Sequence, residues 1–292
     1  MHTFRVLALF LLQFASLALS GERTITIDDS EVVTLAELKH WGGYARAAYD
    51  NFEQWDEACE SCQASEAMRA TRVNVTWSMS LPAFSRGFIG VNSQRGEAVV
   101  SFRGTTHVMD VLTDSQMAQV SWPDAESHVH MGFLLAYMSA RSAVQAGLRL
   151  LLAEPEYTVV FVGHSLGAAQ AVLAYADFCL VASRELCGRA RLVTFGAPRV
   201  GNSHFARLVG DHGSPGIRAL RVVHGSDIVA QLPRSLPLLH GQYVHSDREV
   251  WIRDDALTLC GAGEDPQCSA STHVWQWNML DHMEYPGISL LF

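Results

Sequence analysis

Positive charge is scarce in this sequence: Lys and Arg total 21 against 30 Asp and Glu over 292 residues, a net charge of -9. A phosphate backbone is repelled by that balance, which argues against nucleic-acid partners. Anionic lipid headgroups gain no attraction from it either, so any approach to a lipid surface has to rest on apolar contact. Long apolar runs are also missing. The run from Val6 to Leu19 behind Arg5 is shorter than the roughly 20 residues a bilayer span needs, and no stop-transfer charges follow it. With Ala18-Leu19-Ser20 ahead of Gly21 as a small-residue cleavage site, residues 1–20 read as a secretory signal peptide without a transmembrane anchor. Zinc spacing is absent too: Cys59-x-x-Cys62 has no second CxxC and no paired His at ligand distance, so no metal is expected. No internal repeat or low-complexity stretch occurs, which excludes solenoids.

What is present is a chain that is 49% hydrophobic, long enough to bury a large core as one α/β domain over residues 21–292. Six cysteines in an exported chain read as disulfides. Their spacing suggests local clips, Cys59 to Cys62, Cys179 to Cys187 and Cys260 to Cys268, although spacing alone leaves the pairing open. Asn74-Val75-Thr76 is an N-glycosylation acceptor. Ala98 to Phe102, Thr158 to Val162, Arg191 to Phe195 and Arg218 to Val223 are β-rich and mostly apolar, as strands covered on both faces should be. Thr34 to Tyr49, Met131 to Leu152 and Leu166 to Leu180 read as helices, the second with Leu134, Met138, Leu148 and Leu152 near helical spacing. Alternating strands and helices predict a central, mostly parallel sheet flanked by helices.

The chemistry concentrates in Gly163-His164-Ser165-Leu166-Gly167, set between an apolar strand and an alanine-rich helix. That context is what a G-x-S-x-G turn requires: glycines remove Cβ atoms where the strand turns into the helix, and Ser165 presents its hydroxyl as a nucleophile. A serine hydroxyl needs a general base, and the base needs an acidic group to orient it. In this fold both follow the serine, acid first. Asp227 follows the strand ending at Val223, ahead of its rivals Asp211, Asp247, Asp254 and Asp255. His282 is the late histidine in a compact segment; His240, His245 and His273 also follow Asp227, but His245 reads as structural, and His164 reads as a buttress of the turn. No organic cofactor is required for such acyl transfer.

These residues, together with Ser101-Phe-Arg-Gly-Thr105, His130-Met-Gly-Phe133, Thr194-Phe-Gly-Ala-Pro-Arg199, Ser226-Asp-Ile-Val229 with Leu232-Pro233, and Asp281-His282, resemble the fungal class 3 lipase family. The resemblance runs from about Leu35 to the C-terminus. It implies an α/β-hydrolase fold and a secreted lipase acting on acylglycerols at a lipid–water interface. It also implies oxyanion-hole donors at Thr105 and at the backbone of Leu166, and a steadying carboxylate at Asp114. Two positions depart from the pattern: Met131 stands where the family often has a basic residue, and no cystine joins the two ends.

The segment after Thr105 places Val108, Val111 and Leu112 on one helical face and Asp110, Thr113 and Asp114 on the other, the pattern of a short amphipathic lid. Thr105, where the family frequently has serine, supports an alternative: a feruloyl or other aryl esterase working on soluble esters. A secreted binding protein on a decayed hydrolase scaffold is the alternative outside enzymes, and an intact Ser165, Asp227 and His282 speaks against it.

Overall fold

The computed structural model describes residues 23–28, 31–50, 52, 59–79, 84–105, 118–151, 157–210, 219–234, 242–254 and 256–290. The expected signal peptide, the lid residues Val108, Val111 and Leu112, and Asp114 all lie outside them.

Eight strands form one sheet: β1 Thr71–Met79, β2 Ser85–Asn92, β3 Glu97–Phe102, β4 Thr158–His164, β5 Arg191–Phe195, β6 Ala219–His224, β7 Arg248–Arg253 and β8 Ala256–Ala262. They lie side by side in chain order. Pairing from β3 through β7 is parallel, and the outer pairings β1–β2, β2–β3 and β7–β8 are antiparallel. The α/β-hydrolase expectation of a mostly parallel centre is met. Strands β1, β2, β7 and β8 were absent from the strands expected of the sequence.

Strand β4 shows why the centre reads as continuous apolar sequence. Val159 and Phe161 point into one core and Val160 and Val162 into the other, because side chains alternate faces along a strand. Each such fully buried side chain stabilises the fold by about 1.5–3 kcal/mol relative to exposure.

Helix α1, Leu35–Ala47, covers one face through Leu38, Trp41, Tyr44 and Ala45. It starts at a capping box: Thr34 Oγ1 accepts the Glu37 N–H at 3.1 Å, and Glu37 Oε2 accepts the Thr34 N–H at 2.9 Å. Helices α2, Met131–Leu151, and α3, Leu166–Val181, cover the opposite face. In α2 the sequence reading needs correction. Met138 is 41% exposed and Leu134 only half-buried, while the buried stripe includes Phe133, Ala136, Tyr137, Ala140, Gly147 and Leu148. Small residues sit inward because the helix lies close on the sheet: a Cβ at Gly147 would come within 2.5 Å of Ile89 Cδ1. Asp177 of α3 ties the two helices together, accepting from Arg141 Nε at 2.8 Å, Arg141 Nη2 at 2.9 Å, Tyr137 Oη at 2.5 Å and Gln145 Nε2 at 3.0 Å.

The disulfides are Cys59–Cys62, Cys179–Cys187 and Cys260–Cys268. Cys179–Cys187 clips the end of α3 to the short helix Arg184–Arg189. Asn74 is exposed on the edge strand β1, where the pairing with β2 shifts register. Among the described residues, no helix is long and apolar enough to cross a membrane.

Candidate active site

Ser165 stands between β4 and α3 with φ 61° and ψ -129°, a conformation that an L-residue adopts only under constraint. Both glycines of the turn are needed there. A Cβ on Gly163 would lie 2.3 Å from Gly167 O, and one on Gly167 would lie 2.2 Å from Phe102 O. The close approach puts the start of α3 against the end of β3, where Gly104 and Thr105 follow; a Cβ on Gly104 would lie 3.1 Å from Ser165 Cβ. Leu166 is the first residue of α3, so its N–H has no carbonyl one turn back to bond. That donor faces the turn from the start of α3, and the Thr105 backbone follows Gly104 on the other side of Ser165.

Asp227 and His282 are 55 residues apart and meet: His282 Nδ1 lies 2.8 Å from Asp227 Oδ2, with both side chains fully buried. The juxtaposition is built by backbone lacing. Asn278 N–H donates to Ser226 O at 2.9 Å, and Ile228 N–H donates to Asn278 O at 3.4 Å. Asp281 Oδ2 accepts the Ser226 N–H at 2.7 Å. The end of β5 closes the third side. Phe195 O accepts the Ser165 N–H at 3.0 Å, and at the next residue, Gly196 with φ +57°, a Cβ would fall 2.7 Å from Asp227 Oδ2 and 2.9 Å from His282 Nδ1. Serine, acid and histidine thus border the ends of β4, β5 and β6, the carboxyl edge where α/β sheets place their sites.

A carboxylate only accepts, so the hydrogen on neutral His282 sits on Nδ1 and the Nε2 lone pair is free. Asp227 accepts two further bonds, from Tyr285 Oη onto Oδ2 at 2.5 Å and from the Val229 N–H onto Oδ1 at 2.7 Å. Burial alone pushes this carboxyl up; His282, Tyr285 and Val229 together outweigh burial and hold it below the ordinary aspartate value. Burial, and then the charge of Asp227, push the Tyr285 phenol well above its own ordinary value. Two buried polar atoms of the site have no hydrogen-bond partner: Ser165 Oγ and His282 Nε2. Unpaired buried groups cost about 1–3 kcal/mol each, and both of these atoms are left to take a partner.

The acid loop is braced from behind. Arg199 donates to Gln231 O and Pro233 O while its Nε and Nη2 grip Glu264 at 2.8 and 2.7 Å. His245 Nε2 lies 2.9 Å from Ala230 O, in keeping with a structural role. Asp247 pairs with buried Arg221, and Asp254 is exposed; Asp211 and Asp255 lie outside the described residues. Glu249 with Cys260 and Cys268 is a metal-like grouping among the described residues. Its sulfurs are joined in a disulfide and Glu249 is taken by Ser269 and Arg221, so it offers no ligand set.

Sequence reasoning overlooked Tyr285, which follows His282 by three positions but whose contact with Asp227 spans 58 residues. It also overlooked Tyr49, whose hydroxyl lies 2.8 Å from His164 Nδ1.

Comparison with known proteins agrees with this geometry. The family model "Lipase (class 3)" matches residues 99–236. A lipase of Rhizomucor miehei is 30% identical over 219 residues, covering 73% of this chain and 58% of that protein. The chain thus spans little more than half the length of the first curated relatives it matches, 54% for a Rhizopus niveus lipase. A secreted mono- and diacylglycerol lipase A of Penicillium cyclopium is 29% identical over 290 residues, covering 89% of this chain and 90% of that protein. The solved lipase of Rhizopus microsporus var. chinensis aligns with a TM-score of 0.76 and 31% identity over 92% of this chain and 90% of that one. With a solved relative matched at that identity over nearly its whole length, and a strained serine beside a buried Asp–His pair, the chain belongs to the class 3 lipase family.

Proposed function

We propose that this protein is a secreted lipase that cleaves carboxylic esters of acylglycerols by two-step acyl transfer, with Ser165 as nucleophile, His282 as general base and Asp227 as its orienting acid. The observation that carries the reading is the Asp227–His282 hydrogen bond at 2.8 Å beside a serine held at φ 61°. Ser165 Oγ attacks the ester carbonyl carbon as its proton passes to His282 Nε2. The tetrahedral oxyanion takes hydrogen bonds from the Thr105 and Leu166 backbones, each worth roughly 3 kcal/mol in the transition state. The proton then moves from Nε2 to the departing alcohol oxygen, and water repeats the sequence to free the acid and restore Ser165.

Relatives named as lipases and as a mono- and diacylglycerol lipase support the acylglycerol class. A surface at the rim supports work at a lipid–water interface. Residues 267–280, which run up to the Asp281-His282 pair, contain no Asp, Glu, Lys or Arg, and within them Trp275 is 81% exposed, Leu280 62% and Val274 52%. An uncharged aromatic surface suits a neutral lipid boundary. The amphipathic pattern of Val108, Val111 and Leu112 adds a lid to the same proposal. Export and glycosylation at Asn74 complete it, supported by the name of a relative that is secreted, by three disulfides and by an exposed acceptor.

The test is a panel of emulsified mono-, di- and triglycerides against soluble esters. Turnover that rises as a short-chain ester passes its solubility limit supports the lipase. Turnover that stays flat there, with methyl ferulate hydrolysed, favours the soluble aryl esterase. Ser165→Ala should abolish hydrolysis and organophosphonate labelling while leaving the fold intact; full activity in that variant overturns the assignment.

A further inference from the structure

Behind the nucleophile runs a line of polar contacts that the reaction itself does not use. Tyr49 Oη lies 2.8 Å from His164 Nδ1, and His164 Nε2 lies 2.8 Å from the backbone oxygen of His282. At the other end the Tyr49 oxygen accepts the backbone N–H of Gly104. The contact is tight: a Cβ on Gly104 would come within 2.1 Å of that hydroxyl.

The hydrogens in this line have one arrangement. A carbonyl oxygen only accepts, so His164 Nε2 carries hydrogen and donates to His282. Burial, reinforced by the neighbouring His282, pushes His164 down to about 3. The ring is therefore neutral, and its Nδ1 is a bare lone pair that must receive the Tyr49 O–H. The Tyr49 oxygen in turn has a lone pair for Gly104. Gly104 N–H, Tyr49 O–H and His164 Nε2–H all point the same way, toward the base-bearing segment. Bonds aligned in series polarise one another and resist reversal. The two ends of the line are the positions whose spacing matters to acyl transfer: Gly104 precedes Thr105, and the His282 carbonyl belongs to the residue with the free Nε2.

We propose that Tyr49 and His164 are positioning residues, a one-directional hydrogen-bonded strut that sets the distance between the oxyanion loop at Gly104–Thr105 and the base His282. This inference rests on the ester-hydrolase reading above. The stacking of His164 on His282, with ring centroids 4.5 Å apart and planes 30° from parallel, gives the strut a second duty. A neutral ring there adds no repulsive charge when His282 takes up the proton of Ser165.

The test uses the purified chain, a soluble nitrophenyl ester and the variants Tyr49→Phe, His164→Ala and both together. Tyr49→Phe should lower kcat roughly tenfold with KM within about twofold, since misplacement of one reacting group costs rate before it costs binding. The double variant should be no slower than His164→Ala alone, because either change breaks the same line. His164→Gln keeps a donor near the Nε2 position and should recover part of the rate. Nitrogen NMR of the wild type should show His164 as the neutral Nε2–H tautomer from about pH 5 to about pH 9, a reading that stands even where a variant fails to fold. Wild-type kcat in Tyr49→Phe, effects that multiply in the double variant, or a His164 carrying hydrogen on Nδ1 would each overturn the strut. An inactive wild type sinks the ester-hydrolase reading, whereas an active wild type with an unaffected Tyr49→Phe sinks the strut alone.

Discussion

Tyr285 gives its hydroxyl, at 2.5 Å, to the same Asp227 oxygen that receives His282 Nδ1. One oxygen with two donors is fixed in direction as well as in charge, and the imidazole inherits that direction. Tyr285→Phe removes one donor and leaves the ring. A hydrogen bond to a charged group contributes roughly 1.5–3 kcal/mol, and the part expressed in the transition state should lower kcat about tenfold with little change in KM. Steady-state kinetics on a soluble ester checks this, and unchanged kcat would show that His282 and Val229 hold the carboxylate unaided.

Replacing Ser165 by glycine should inactivate the protein and make it more stable. The serine occupies φ 61° and ψ -129°, and its hydroxyl is buried without a partner. Glycine adopts that backbone freely and brings no hydroxyl, so about 1 kcal/mol or more of strain and desolvation is relieved, less the extra entropy glycine loses on folding. Thermal unfolding of Ser165→Gly beside Ser165→Ala separates the two sources. Alanine relieves only the unpaired hydroxyl and should gain less.

Gly196→Ala should damage the reaction centre more than the fold. Its φ of +57° resists a side chain, and the added carbon would sit 2.7 Å from Asp227 Oδ2 and 2.9 Å from His282 Nδ1. The pair must part to admit it. Expected is a loss of roughly 100-fold or more in kcat, together with destabilisation of about 1–3 kcal/mol. Retained activity would mean that the β5 end does not constrain the pair.

Acid should weaken the fold through its buried histidines. Burial pushes His130 down to about 4 and His164 to about 3, and burial followed by Arg221 holds His245 well below its ordinary value. An unfolded histidine takes up its proton near pH ~6.5, so below that pH the unfolded state binds more protons than the folded one. Stability from these histidines is complete above pH ~6.5 and is lost as the pH falls, by up to about 1.4 kcal/mol per pH unit for each ring. Asp247, which burial pushes up to about 6, acts in the other sense. Its contribution is present in acid and lost as the pH rises through 6, so it offsets the effect of about one histidine. The unfolding temperature should therefore drop between pH ~6.5 and ~4.5; a flat profile there would contradict the neutral, buried state of these rings.

The sequence and the structure part company where side chains act at long range. The Gly163–Gly167 turn was legible because a strand and a helix flank it directly, and Asp227 and His282 because they follow in the order that successive strand ends impose. Strand β2 was harder to see, since Gly87 and Gly90 look like breaks in a strand. The structure gives the reason for one of them: a Cβ on Gly87 would strike the Trp77 ring at 2.4 Å, so the glycine is the floor on which a tryptophan lies. Helix α2 misled in a similar way. Leu135 and Met138 face outward, while Ala136, Ala140 and Gly147, which carry little hydrophobic signal, share the packing with Phe133, Tyr137 and Leu148. Tyr285 and Tyr49 left no local trace at all, because each acquires its role from a partner 58 or 115 positions away.

The lacing between residues 225–228 and 278–282 has a consequence for biosynthesis. Translation delivers Ser165 first, Asp227 next and His282 last, and His282 is aligned once its segment lies between Gly225, which Asp281 meets, and helix α1, where Pro286 O meets Gly42. A chain made only as far as Asp227 would hold the serine and the carboxylate but not the histidine that meets it. The Asp–His pair is thus completed by a late meeting of two distant segments, residues 225–228 and 278–282, rather than within either one.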